Sequence, residues 1–74
     1  MRSLQEKVGR VVQRLRKEKG YSQEAFAVVV GVHRTYMGLI ERGQANVTLE
    51  TLNKVARALS INSSEVIRRA ESEK

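Results

Sequence analysis

The stretch Ser22–Gly43, SQEAFAVVVGVHRTYMGLIERG, decides the interpretation of this chain. Two short segments with helical apolar spacing lie on either side of Gly31. Each follows a residue that can begin a helix, Ser22 in the first case and His33 in the second. Two helices joined by a turn of about three or four residues that contains a glycine form a helix-turn-helix. The spacing alone is suggestive only, because any two packed helices can show it.

Apolar periodicity outside this stretch predicts three further helices, so we expect a compact, all-α, five-helix fold in a single domain, residues 1–74. Gly20, Gly31 and Gly43 each follow a helical pattern and are expected to end it. Thr48 is expected to cap the fourth helix, and Asn62 with Glu65 resembles a capping box at the start of the fifth. The expected helices run over about residues 4–19, 23–30, 33 or 34 to 42, 49–59, and from 63 onwards.

The apolar positions of these helices identify a candidate core. Those expected to face inward are Leu4, Val8, Val11, Val12 and Leu15 in the first helix, Phe26, Ala27 and Val30 in the second, Met37 and Ile40 in the third, Leu49, Leu52, Val55, Ala56 and Leu59 in the fourth, and Val66, Ile67 and Ala70 in the fifth.

The composition narrows the function. The chain has 74 residues, a net charge of +6, one histidine and no cysteine, and it also lacks Asp, Pro and Trp. Disulfides and thiolate zinc sites are therefore excluded, and we expect no metal, cofactor or small-molecule ligand. No apolar run approaches the roughly 20 residues of a membrane span, and the N-terminus does not resemble a signal peptide, so we expect a cytoplasmic protein without a membrane partner. The surplus charge indicates a polyanion, with nucleic acid first.

The positive charge is concentrated near the N-terminus. Residues 1–20 hold seven Lys or Arg and two Glu, which gives +5, whereas residues 21–74 hold seven and six, which gives +1. Two interpretations stay open. The first helix has either an ordinary solvated basic face or an electrostatic footprint that draws it toward phosphates.

The residues of the central stretch also carry a family resemblance. Ser22-Gln23-Glu24, Phe26-Ala27, Gly31-Val32 and Ile40-Glu41-Arg42-Gly43 resemble the lambda-repressor-like (Cro/XRE) helix-turn-helix family, and the likeness extends over about residues 5–67. Within that family, HRTYMGLIERGQANVTL is similar to the controller proteins of restriction–modification systems. The resemblance implies a sequence-specific transcriptional regulator of bacterial or phage origin that binds double-stranded DNA.

The third helix would then be the recognition helix in the major groove. Arg34 can donate two parallel hydrogen bonds to guanine, and Thr35 can meet a base edge or a thymine methyl. Tyr36 either contacts DNA or covers the core, and Leu39 either touches a thymine methyl or packs against protein. His33 is expected to be a helix-start residue rather than a base contact. The candidates for base reading are Arg34, Thr35, Tyr36 and Leu39.

Other residues are candidates for positioning the domain on the DNA backbone. The resemblance carries a phosphate contact onto Gln23, at a helix N-terminus where an anion is favoured. Glu41 is expected to be structural, and Arg42 to bond locally. The backbone-contact candidates are Ser22, Gln23, Arg42, Asn46, Val47 and Thr48.

The resemblance further implies a homodimer formed through the fourth and fifth helices. Two recognition helices would then lie about 34 Å apart on a pseudo-palindromic operator. Some of the apolar residues assigned to this interface must belong to the core of one copy. The interface candidates are Leu52, Val55, Leu59, Ile61, Val66 and Ile67.

The leading hypothesis is a non-enzymatic, autoregulatory activator and repressor of a restriction–modification system. The chain offers no nucleophile–base pair for catalysis. Val28 and Val29 are expected to be exposed and could contact RNA polymerase or a neighbouring dimer. A phage-type repressor or an antitoxin of the same fold is the nearest alternative, and a basic protein-interaction module is the alternative from another class.

Overall fold

A computed structural model describes residues 2–73 and has five α-helices in that range. The number of helices and their order confirm the expected all-α fold, and the boundaries differ from the expected ones by about one residue. The helices are α1 (Leu4–Glu18), α2 (Gln23–Val30), α3 (Arg34–Glu41), α4 (Leu49–Ala58) and α5 (Ser63–Glu71).

Side-chain caps determine where the first four helices begin. The Oγ of Ser22 accepts from the backbone N–H of Ala25 at 3.0 Å, and Nδ1 of His33 accepts from the N–H of Thr35 at 3.1 Å. Thr48 caps α4 in the same way. His33 and Thr48 therefore have the structural roles that the sequence predicts. Each cap satisfies a backbone donor that has no partner inside the helix.

The capping box lies at α1, and the prediction of one at α5 is wrong. Ser3 and Glu6 bond reciprocally at the start of α1, and the Ser3 backbone N–H lowers the pKa of Glu6. At α5, Asn62 makes no side-chain cap bond. Glu65 bonds Arg68 and Arg69 instead, and these bonds, Arg68 first, lower the pKa of Glu65 to about 2. A carboxylate that faces two guanidinium groups is held by them rather than by one backbone N–H.

A left-handed glycine forms the turn between α2 and α3. Gly31 has φ +89°, and both its N–H and that of Val32 donate to the carbonyl of Ala27, at 2.8 and 3.0 Å. This conformation costs little for glycine and is strained for residues with a Cβ. Gly20 and Gly43 end α1 and α3 in the same backbone region, as the sequence predicts.

The core forms where all five helices meet. α1 packs against α3 and α5, α2 against α3 and α4, and α4 against α5. Phe26 stacks at a tilt on Tyr21, with 5.5 Å between ring centroids. This arrangement leaves one face of α3 uncovered. The largest fully buried side chains are Val11, Val12, Phe26, Met37, Ile40, Val55 and Val66.

Two leucines expected in the core lie outside it. Leu4 is 49% exposed and Leu49 is 84% exposed. Both lie in the first turn of their helices, where the chain has only begun to meet the core. The apolar stripes of α1 and α4 therefore start one turn later than the pattern suggests. Among residues 2–73, no helix is long and apolar enough to cross a membrane.

The crossing of α1 and α3 is unusually close. A Cβ added at Gly9 would lie 2.5 Å from the carbonyl oxygens of both Ile40 and Glu41. Real Cβ atoms do not come that near to backbone, so only glycine fits between these helices.

We predict that Gly9→Ala destabilises the domain by about 1–3 kcal/mol, because the new methyl group must push α3 away from α1. An ordinary helical Gly→Ala change instead stabilises by about 0.5–1 kcal/mol. Urea unfolding measures the difference, and Gln13→Ala, on the exposed face of α1, is the control. A Gly9→Ala variant more stable than the wild type would contradict the close crossing.

Candidate nucleic-acid interface

The uncovered face of α3 and the first turn of α2 form a shallow polar groove. Its lining comes from the two helices that the turn at Gly31 joins, and from the residue that ends α3. The groove therefore brings together residues that are almost 20 positions apart in the sequence. Its lining residues are Gln23, Glu24, Arg34, Thr35, Gly38 and Arg42.

Arg34 extends into solvent at the first position of α3. Its Nη1 donates to Oε2 of Glu24 at 2.6 Å, and the two side chains are 68% and 67% exposed. An ion pair that is so exposed contributes at most about 1 kcal/mol to stability. Its main consequence is the position in which it holds the Arg34 guanidinium. The guanidinium remains accessible to a ligand.

The other base-reading candidates differ in exposure. Thr35 is exposed beside Arg34, whereas Tyr36 and Leu39 are half-buried. The structure thus brings Arg34 and Thr35 to the groove, while Tyr36 and Leu39 also cover protein. Whether the four residues contact bases remains a prediction at this point.

Gly38 forms the floor of the groove. A Cβ there would lie 3.3 Å from Nη1 of Arg42 and 3.4 Å from Oε1 of Gln23, so these two side chains extend over the glycine and bury it. Gly38 therefore lies on the groove side of α3, but Arg42 and Gln23 cover its surface. Arg42 also donates from Nε to Oε1 of Gln44 at 3.3 Å, which confirms the expected local bond.

A buried ion pair lies directly behind the groove. Arg16 donates from Nε and Nη2 to the two carboxylate oxygens of Glu41, at 2.7 and 3.0 Å. The Arg16 and Glu41 side chains are only 7% and 1% exposed. Nη1 of Arg16 donates to the carbonyl of Tyr21 at 2.9 Å, and Nε2 of Gln23 donates to Oε1 of Glu41 at 3.1 Å.

This network links α1, the start of α2 and the end of α3. Its polar atoms are satisfied, since no buried side-chain N or O among the described residues lacks a partner. A buried charge pair is stable only with such complete bonding. The expectation that Glu41 is structural is confirmed, and Gln23 gains a structural role besides the expected phosphate contact.

Sequence reasoning missed Arg16, although a signal was present. Arg16 follows Val8 and Val12 at intervals of four, and Glu41 follows Met37 at the same interval. Each charged residue therefore continues an apolar stripe into the core. An Arg and a Glu that both fall on inward faces predict a buried pair.

The remaining backbone-contact candidates lie at the starts of α2 and α4 and in the loop before α4. The hydroxyls of Ser22 and Thr48 are used as helix caps, at α2 and α4. Asn46 is exposed and accepts from the side chain of Gln5, which ties the α3–α4 loop to α1. The Val47 side chain is partly buried and packs against the core.

Four of the six residues assigned to a dimer interface belong to the core of one copy. Leu52, Val55, Leu59 and Val66 are at most 7% exposed, because α4 and α5 need them to pack on α1 and α2. The expectation that some of the six candidates belong to the core of one copy therefore holds for these four, which offer little surface to a second chain. Ile61 and Ile67 are only partly buried.

A shallow apolar pocket adjoins Ile67. The half-exposed Leu4 and the exposed Leu49 form its rim, and Val8 and Leu52 form its floor. This surface, which we call the Leu4–Leu49–Ile67 patch, joins the first turns of α1 and α4 to α5. A contiguous apolar patch of this kind marks an interaction surface more often than scattered exposed residues do.

The basic surplus of residues 1–20 is smaller at the surface than in the sequence. Arg16 is neutralised in the core by Glu41, and Arg14 pairs with Glu73. Arg10 and Lys17 remain exposed on the outer face of α1. The positive electrostatic potential around α1 therefore comes from fewer unpaired cations than the seven Lys and Arg of residues 1–20.

Comparison with known proteins identifies similar chains. The helix-turn-helix family model HTH_3 matches residues 12–66. Control protein C.MunI of a Mycoplasma species is 39% identical over 74 residues, covering 99% of this chain and 100% of that protein. The crystal structure of the restriction–modification controller protein C.AhdI from Aeromonas hydrophila superposes with a TM-score of 0.79, at 44% identity over 82% of this chain and 92% of that one. The clp gene regulator ClgR of Corynebacterium glutamicum gives a TM-score of 0.90 at 28% identity, over 96% of this chain and 91% of that one.

We predict that Glu41→Ala lowers the free energy of unfolding by about 3–5 kcal/mol, because it leaves Arg16 buried and unpaired. Replacing both partners, as Arg16→Met with Glu41→Leu, should recover most of that loss. Denaturant unfolding of the two variants makes the comparison. Glu18→Ala, at the exposed end of α1, is the control and should stay within about 0.5 kcal/mol of the wild type. Equal effects of Glu41→Ala and Glu18→Ala would contradict the role of the pair.

Proposed function

Since this chain belongs to the Cro/XRE helix-turn-helix family of non-enzymatic, DNA-binding transcriptional regulators, we propose that it places α3 in the major groove of an operator and reads bases through Arg34 and Thr35. The groove between α2 and α3 is the feature that supports this proposal most strongly. There an exposed guanidinium and an exposed hydroxyl extend from the first turn of a short helix that is anchored from behind by the Arg16–Glu41 pair.

The dimensions of the recognition surface support this proposal. α3 has eight residues, and the side chains of its first two, Arg34 and Thr35, are exposed. The major groove is about 12 Å wide and admits one α-helix, whose N-terminal residues meet the base edges. Tyr36 and Leu39, being half-buried, would contact DNA only at the edge of this surface.

Backbone contacts would fix the register of α3. The N-termini of α2 and α4 present free backbone N–H groups, and Gln23 lies at the first position of α2. We assign phosphate contacts to Gln23 and Arg42 by side chain, to Asn46 in the α3–α4 loop, and to the backbone near Ser22, Val47 and Thr48. Phosphate contacts of this kind position a domain without reading sequence.

We further propose that the protein is the controller of a restriction–modification system. The full-length similarity to control protein C.MunI and the similarity to C.AhdI support this role. Such a regulator would act in the bacterial cytoplasm, upstream of its own gene and an endonuclease gene, activating at low occupancy and repressing at high occupancy. The structural similarity to ClgR keeps another regulator of the same fold as the second candidate. An adjacent endonuclease or methyltransferase gene supports the controller, and an adjacent toxin gene supports an antitoxin.

The proposed homodimer would use the Leu4–Leu49–Ile67 patch. A domain of 74 residues buries only about 60% of the surface of its unfolded chain, and covering this patch would add to that burial. Two copies related by a two-fold axis would present two recognition helices to two half-sites about one DNA turn apart.

RNA polymerase is the partner proposed for α2. Val28 and Val29 are 76% and 51% exposed, next to each other on the side of α2 that is turned away from the core. An activator bound beside a promoter needs a surface that is not occupied by DNA, and adjacent apolar side chains suit a protein contact.

We predict that Arg34→Ala loses roughly 5- to 150-fold of affinity per half-site for the operator, because a bidentate guanine contact contributes about 1–3 kcal/mol. Mobility shifts with duplexes that tile the DNA upstream of the gene locate the operator and measure this loss. Arg57→Ala, which removes an exposed charge from α4, is the control. Equal losses in the two variants would contradict base reading by Arg34.

We predict that the wild type sediments as a dimer of 8.4-kDa chains at tens of micromolar and that Leu49→Glu and Ile67→Glu shift it to the monomer. Burying a glutamate in an apolar interface is unfavourable, since the carboxylate loses its hydration. Val28→Glu adds the same charge at an exposed apolar site on α2 and should leave the dimer intact. A monomeric wild type, or equal dissociation by all three variants, would contradict this interface.

A further inference from the structure

We propose that Glu24 is a specificity-determining residue of the DNA interface, which positions Arg34 for guanine and repels the phosphates of other DNA. The inference rests on the proposed function, since it concerns how Arg34 is used once α3 lies in the major groove. Glu24 does not itself need to touch a base for this role.

The geometry of the ion pair supports the positioning role. Glu24 lies in the first turn of α2 and Arg34 is the first residue of α3, so their contact crosses the groove. Only Nη1 of Arg34 is used, and it donates to Oε2 of Glu24 at 2.6 Å. Within residues 2–73, Nε and Nη2 of Arg34 make no hydrogen bond to protein.

The unused edge of Arg34 is one that can bind guanine. Nε and Nη2 are two parallel donors of one planar group, and they match the O6 and N7 acceptors of guanine in the major groove. Glu24 therefore restrains the guanidinium without blocking its recognition edge. A long side chain that is already restrained loses less conformational entropy when it binds.

The charge of Glu24 supports the second role. Of the six groove residues, Arg34 and Arg42 are cationic, Glu24 is anionic and the other three are uncharged. Binding to DNA of any sequence depends mainly on phosphate contacts by cations. A carboxylate in the groove weakens those contacts for every sequence, whereas the neutral acceptors of guanine still gain the fork of Arg34. The charge of Glu24 thus lowers the affinity for DNA of any sequence, and its positioning of Arg34 restores affinity only where a guanine is present, which raises the ratio of specific to non-specific affinity.

The test compares Glu24→Ala and Glu24→Gln with Glu71→Ala, which makes the same change of charge at an exposed site on α5. Fluorescence anisotropy would use three duplexes: one selected by the wild type from a random library, the same duplex with its guanine–cytosine pair changed to adenine–thymine in each half-site, and a scrambled duplex. Circular dichroism checks that each variant is folded, which we expect because Glu24 is exposed.

Glu24→Ala should bind the scrambled duplex about two- to five-fold more tightly, with guanine discrimination reduced by a similar factor, as expected for loss of an exposed ion pair. Its salt dependence on the scrambled duplex should steepen by up to about 0.9 in slope, because the freed Arg34 can reach a phosphate. Glu24→Gln should gain the same non-specific affinity and keep more of the discrimination, because its amide oxygen still accepts from Arg34.

The results with the Arg34 and Glu24 variants distinguish a failure of the role of Glu24 from a failure of the proposed function. If Arg34→Ala leaves guanine discrimination unchanged, base reading by Arg34 fails and this inference fails with it. If Arg34→Ala abolishes discrimination while the Glu24 variants behave like Glu71→Ala, only the role of Glu24 is overturned. The role is supported if Glu24→Ala lowers guanine discrimination in the wild type and has no further effect on it in the Arg34→Ala background.

Discussion

The buried ion pair between Arg16 and Glu41 is the interaction on which the rest of the domain depends. It joins the end of α1 to the end of α3. The carbonyl of Tyr21, in the α1–α2 connection, accepts from Arg16, and the side chain of Gln23, at the start of α2, donates to Glu41. Gly9 permits the close approach of α1 to α3 that brings the two charges together. Because hydrogen bonds are directional, this network restricts the orientation of α3 more than apolar packing alone would.

The functional surface follows from that constraint. With α3 held from behind, the side chains of Arg34 and Thr35 at its start lie outside the core and are accessible to a ligand. Gln23 belongs to both regions, since it bonds Glu41 on one side and lines the groove on the other. A change at Gln23 therefore affects fold and groove together, and its effect on binding can be interpreted only alongside a stability measurement.

Local sequence signals predicted most of the fold. Ser22, Thr48 and the glycines at helix ends act within a few residues, so they gave the five helices and the turn correctly. The predictions that failed concern which helix faces pack against one another. The exposure of Leu4 and Leu49 and the pairing of Glu65 with arginines depend on tertiary contacts that a repeat of apolar residues does not specify. Similarly, the charge count included Arg16 among the seven cations of residues 1–20, although its spacing from Val12 indicates a position in the core.

We propose that α3 reads DNA from a groove fixed by a buried ion pair, and that the two copies of a dimer each read one half-site of the same operator. Selection of bound duplexes from a random library by the wild-type protein tests it most directly, because it reports half-site sequence and spacing at once. We expect two inverted copies of a short motif, each containing a guanine, with centres about one helical turn apart. Recovery of duplexes with no enriched sequence, or of a single unpaired motif without guanine, would contradict it.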